Sequence, residues 1–196
     1  MKRVMQLLAR GLQRLAGARE GAAAVEFALI LPVMLLLYLG TLEASALISM
    51  DRRVQTVTGT VGDLVARVDK AIPAGRLLDY FRAAENIVAP YSTDTLVQTV
   101  SLVYVDDEGE AQVRWSRRFV DGASEHVAGY TAGSPYDLPD EITSLAQEAF
   151  VVVSEASYSY TPLLGLVFRS DFPLYRENFY IPRFGEEICY NACPAN

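Results

Sequence analysis

Between Phe27 and Leu42 the chain runs without a single charged residue (FALILPVMLLLYLGTL), and widening the window to Ala22–Met50 adds only two acids, Glu26 and Glu43. A helix needs about 20 mainly apolar residues to cross the hydrocarbon of a bilayer, so Ala22–Leu42 is long enough if Glu26 is tolerated near one boundary. Charge is partitioned around this stretch. Residues 1–21 carry Lys2, Arg3, Arg10, Arg14 and Arg19 against Glu20, whereas the rest of the chain has 12 Lys and Arg against 23 Asp and Glu. Basic residues are retained on the cytoplasmic side of a span. The N-terminus is therefore expected in the cytoplasm and the acidic body across the membrane.

Several function classes fall away on composition. An acidic body lacks the basic face that phosphates require, which argues against nucleic acid. One histidine, His126, makes a His-rich metal site or a Ser-His-Asp arrangement hard to assemble. No P-loop and no G-x-S-x-G stands in the chain, so the reading is not an enzyme, with no cofactor and no metal. Val, Leu, Ile, Phe and Tyr abound outside the apolar stretch as well, which excludes disorder. A cleaved secretory signal is the competing reading of the N-terminus. It needs small residues after an apolar core of about 7–15 residues, and Ala44-Ser45-Ala46 supplies such a triplet. The small residues Gly21–Ala24 stand before the apolar run, and this order favours processing upstream of it.

Glu26 is the residue that asks for an explanation. A charged side chain at mid-helix costs about 2.5–3.5 kcal/mol on insertion scales and less near the interface. It either snorkels to the headgroups or pairs with a positive group on another subunit. Pro32 removes the hydrogen bond to the Ala28 carbonyl and crowds the preceding turn. A kink that sets how the helix packs and simple tolerance within a membrane helix weigh about equally.

The run Gly21-Ala22-Ala23-Ala24-Val25-Glu26-Phe27 resembles the cleavage site of type IV prepilins, with a basic leader before it and an apolar helix after it. The wording from Arg19 (REGAAAVEFALILPVMLLLYLG), including Pro32, and the polar continuation Glu43–Arg53 are similar to the TadE-like minor pseudopilins of tight-adherence (Tad/Flp) type IV pili. Tyr158-Ser159-Tyr160-Thr161-Pro162-Leu163 and Ile181-Pro182-Arg183 look like that family's later motifs. The resemblance implies cutting between Gly21 and Ala22 by a membrane-embedded prepilin peptidase. It also implies that Glu26, fifth in the mature chain and followed by Phe27, neutralises the α-amino group of a neighbouring subunit during assembly. The partners implied are the peptidase, other Tad pilins, the inner-membrane assembly platform and membrane lipid. The localisation implied is a single-pass inner-membrane protein with a periplasmic body, incorporated in turn into the extracellular pilus and used in adhesion. The alternative is an uncleaved, single-pass, membrane-anchored periplasmic binding module. The organisation expected is a basic leader over 1–21, a transmembrane assembly helix over 22–50 and an extracytoplasmic α+β domain over 51–196.

In the body, Val54, Val57, Val61, Leu64 and Val68 recur at helical spacing, continuing the first helix to Val68. Gly59 and Gly62 are expected to weaken or bend it. Leu77, Phe81, Ala84 and Val88 mark a second helix that ends before Pro90. The period then changes to two. Leu96–Val105 and Ala111–Trp115 bracket the acidic turn Asp106–Glu110 as a hairpin. A short helix after Pro139, a strand over Ala149–Tyr160 and an edge strand over Phe179–Phe184 complete an α+β fold, a long helix packed on roughly three to five antiparallel strands. The stretch with Gly122, Gly129, Gly133 and Pro135 reads as a loop, with His126 on its surface. Cys189 and Cys193 are the only cysteines. Beyond an inner membrane they favour a disulfide over free thiols, and zinc would need about two more ligands. A bond would require a turn over Tyr190–Ala192, because thiols four apart on a helix rarely meet the dihedral.

Overall fold

The computed structural model describes residues 19–120 and 126–193; the expected leader, through residue 18, and Gly122 lie outside the described residues. Two compact units emerge: residues up to Ser45 together with Leu163–Arg169, and Ala46–Pro162 together with Ser170 onward. Helix α1, Arg19–Ala66, contributes to both.

In the larger unit, α1 presents Met50, Val54, Val57, Val61 and Val65 as a buried stripe. The expected stripe is thus met with one change: Val65 is buried where Leu64 is half-buried. After a short strand β1 (Ala71–Ile72), helix α2 (Ala74–Val88) buries Leu77, Phe81, Ala84 and Val88. The two stripes close on one face of a sheet, meeting Val100, Leu102, Phe119, Val152 and Ala156 in a single core. Phe81 stacks on Phe119 with ring centroids 5.5 Å apart. Arg53 finishes α2: its Nη1 donates to the carbonyls of Ile87 (2.7 Å) and Ala89 (2.6 Å), satisfying acceptors that the helix end leaves open.

The sheet is antiparallel, in the order β4-β3-β2-β5-β6. Its strands are β2 (Val97–Val105), β3 (Ala111–Val120), β4 (Val127–Ala128), β5 (Ala149–Tyr160) and β6 (Phe172–Tyr180). Strand β5, the longest, lies inside the sheet and pairs with both β2 and β6. The opposite face carries a second core. There Val103, Val105, Val113, Val151 and Val153 are covered by Leu138 and by Ala146, which follows the one-and-a-half-turn helix α3 (Asp140–Leu145).

Two expectations, on the last strand and on His126, are corrected. The last long strand is Phe172–Tyr180, not Phe179–Phe184. Pro182 ends pairing, and the chain instead turns back to the end of α1, where the Arg183 N–H donates to the Ala66 carbonyl (2.8 Å). Helix α1 is continuous through Gly59 and Gly62. Gly62 is where the helix lies closest to the sheet, since a Cβ there would fall 2.5 Å from the Tyr180 ring, and the Tyr180 hydroxyl donates to the Gly59 carbonyl (3.0 Å). His126 is not a surface residue. It is half-buried, edge-on to Phe81 and Tyr190, with Nε2 3.2 Å from the Ala74 carbonyl oxygen.

A strand β7 (Cys189–Tyr190) pairs in parallel with β1. Cys189 and Cys193 are joined by a disulfide. Asn191, between them, has a φ of +64°, a left-handed turn that Asn tolerates better than most residues.

Candidate functional site

The smaller unit holds the residues that the sequence singles out. From Gly21 to Tyr38 nearly every side chain of α1 is exposed: Phe27 60%, Leu29 72%, Leu37 66%. A helix that is apolar all round has no face to turn to water. It is also the one described helix long and apolar enough to cross a membrane. Gly21 and Ala22 lie within the helix, with nothing within 4 Å of where a Gly21 Cβ would stand. Glu26 is exposed, and among the described residues it has no hydrogen-bond or ion-pair partner. Phe27 projects beside it. Pro32 sits inside α1, which continues through it as helix.

The second acid of this segment behaves in the opposite way. Glu43 is 3% exposed. Its carboxylate accepts three consecutive backbone N–H groups from the segment between β5 and β6: Leu166 (3.0 Å), Val167 (3.2 Å) and Phe168 (2.9 Å). Val167 also packs 3.7 Å from the position of a Gly40 Cβ, one turn earlier on the helix. Charge-assisted bonds of this kind are stronger than neutral ones. The carboxylate therefore fastens a loop to the end of the apolar stretch.

A polar centre lies in the larger unit, on the sheet face away from the helices. Glu155 of β5 is buried, and its Oε1 accepts the hydroxyls of Tyr175 (2.6 Å) and Tyr130 (2.9 Å). Burial and the charge of Glu155 push Tyr130 up to about 12. The same two causes raise Tyr136 and Tyr175 well above the ordinary phenol range. These tyrosines therefore remain neutral donors at physiological pH. A cavity of about 270 Å³ opens here, lined by Thr99, Arg118, Tyr130, Glu155 and Tyr175 among others. The three tyrosines come from the 129–136 loop and β6, so the carboxylate ties both to β5.

At the β2–β3 turn, the carboxylates of Asp106, Asp107 and Glu108 lie within 4.8 Å of one another. Asp106 Oδ1 accepts the Glu110 N–H (2.7 Å), as an acidic residue does when it closes a turn. Sequence reasoning brought forward Gly21, Ala22, Glu26, Phe27 and Pro32, which lie on one exposed helix, and Cys189 and Cys193, which lie in the larger unit. It passed over what Glu43 and Glu155 do. The available signal for Glu43 was its position: an acid directly ending an uncharged run needs donors from somewhere.

Fold and site together define an α+β protein whose first helix carries a bilayer-length apolar segment, followed by a folded acidic body. Residues 21–61 match the family described as TadE-like protein. Over that segment, about a fifth of the chain, the protein is similar to TadE-like proteins. No curated protein and no solved structure is similar enough to add to this match.

Proposed function

We propose that the chain is a minor pilin of a Tad/Flp pilus, held in the inner membrane by α1 with its N-terminus in the cytoplasm and its body in the periplasm. A prepilin peptidase cuts it between Gly21 and Ala22. The new α-amino group and Glu26 then lie four residues apart, about 6 Å along the helix. Glu26 pairs with the α-amino group of a neighbouring subunit, and Phe27 and the residues beyond it bury against other pilin helices.

The observation that carries this reading is Glu26, exposed and without a partner among the described residues, on an apolar helix whose family match begins at Gly21. An unpaired carboxylate in hydrocarbon is costly, and two opposite charges so placed are held together once they meet. The body, fastened to nothing cytoplasmic, serves contacts along or at the end of the fibre, and adhesion follows from the fibre.

Mass spectrometry of the protein from cells with and without the peptidase tests the cut. A mature chain beginning at Ala22 only when the peptidase is present is expected; a chain that keeps Met1 in both sinks the pilin reading and leaves a tethered periplasmic binding module. Glu26→Ala should leave membrane insertion intact and abolish co-purification with pili. Unchanged incorporation would remove the pairing role.

A further inference from the structure

The loop that Glu43 holds is itself apolar and turned outward. Leu163 is 86% exposed, Leu164 48%, Leu166 53% and Val167 41%. Exposed leucines so concentrated on one loop are unusual on a water-facing surface, where apolar side chains are normally scattered. The loop belongs to the same compact unit as the apolar part of α1, so its height along that helix is fixed.

That height is informative. Glu26 and Glu43 are 17 residues apart, about 26 Å along a helix and close to the roughly 30 Å of a hydrocarbon core. If the helix enters the bilayer near Ala22, it leaves near Glu43. Val167 against Gly40 and the three N–H groups on Glu43 therefore lie at the level where the helix emerges on the far side. Tyr38, 61% exposed one turn below, is the residue type that favours this boundary. Irregular backbone at membrane depth is tolerated only if its polar groups are bonded. Here three successive donors are bonded, and by the one carboxylate that would otherwise face lipid. Arg169, Ser170 and Asp171 follow at once and are exposed, returning the chain to water.

We propose that Leu163–Phe168 is a second membrane contact. Its leucines lodge in the interfacial layer of the outer leaflet beside the helix exit, and Glu43 holds them there. This rests on the reading of α1 as a membrane span. The occupant is lipid, the boundary between acyl chains and headgroups, in the membrane-resident chain before it joins a fibre.

The test uses the full chain in vesicles of phosphatidylethanolamine and phosphatidylglycerol, its disulfide intact, with Leu164→Cys carrying an environment-sensitive fluorophore. A matching label at Leu145→Cys, an exposed position of the body, serves as the reference. The expected result is blue-shifted emission at 164, a several-fold loss of quenching by aqueous iodide relative to 145, and stronger quenching by lipids spin-labelled near the headgroup than near the chain end. Adding Glu43→Ala should return iodide quenching at 164 toward the reference value while the chain stays resistant to alkaline extraction. A label at 164 that matches 145 in an alkali-resistant chain overturns the loop contact and leaves the span intact. Protection from iodide without quenching by lipid labels also overturns it, since protein then covers the loop. A chain released by alkali overturns the span and the loop contact together.

Discussion

The two halves of α1 are built on opposite logic. Up to Leu42 the helix is apolar on nearly every side and largely exposed, and among the described residues the cover it meets is the loop at its end. From Ala46 onward it is amphipathic, with one buried stripe laid on α2 and the sheet and polar residues on the rest. Both halves are equally helical, so backbone propensity does not distinguish them. What differs is where the apolar surface finds cover. The second half finds it in the chain's own α2 and sheet; on the proposed reading, the first half finds it in lipid or in the helices of other subunits. A family match running from Gly21 to Val61 spans this change.

The comparison breaks most readily at the core. Phe81→Ala should lower the unfolding free energy of the detergent-solubilised chain by about 3–5 kcal/mol, read by chemical denaturation, without altering resistance to alkaline extraction. A loss of membrane retention in that variant would mean that the halves are not independent. The reverse case is Leu35→Arg. A mid-span arginine should cost insertion about 2.5–3.5 kcal/mol, seen as a larger alkali-extractable fraction, while the protease resistance of the body is kept. Smaller is Gly62→Ala, where the new methyl meets Tyr180 and about 1–3 kcal/mol of overpacking is expected. Gly75→Ala, with open space around it, is the control.

The gentlest probe is alkaline pH. Tyr130 titrates at about 12 in the folded chain and at about 10 when unfolded. The stability held by its neutral hydroxyl is therefore full below pH about 10 and lost as pH rises through about 12. Tyr130→Phe should flatten that decline in a denaturation series, and an unchanged slope would remove the Glu155 centre from the account.

The helical stripes and the strands over Leu96–Val105 and Ala149–Tyr160 were legible because each buries one face against its own chain, and burial writes its period into the sequence. The reading failed at Phe172–Tyr180. That strand, FPLYRENFY, alternates poorly because Tyr175 reaches Glu155 on one face while Arg176 pairs with Asp51 (2.5 Å) and Asn178 bonds Thr58 (2.6 Å) on the other. Partners more than a hundred residues away leave no local period. The close approach at Gly62 was hidden for a similar reason, since a local pattern does not show Tyr180 against it. Among the candidate site residues, the spacing of Gly21, Glu26 and Phe27 is local and therefore readable. The anchoring by Glu43 depends on a loop more than 120 residues on.

The clasp at the lower end of α1 bears on how the protein is made. Asp63 holds Arg183 (2.6 Å), and Ala66 receives the Arg183 N–H; the residues that seal this helix arrive some 120 positions later. In a chain synthesised from its N-terminus, Val54, Val57 and Val61 are made long before β5 and β6, which cover them in the folded protein. Until synthesis is nearly finished that stripe stays uncovered, and a chain stopped before Arg183 leaves an apolar helix face open to non-specific contacts.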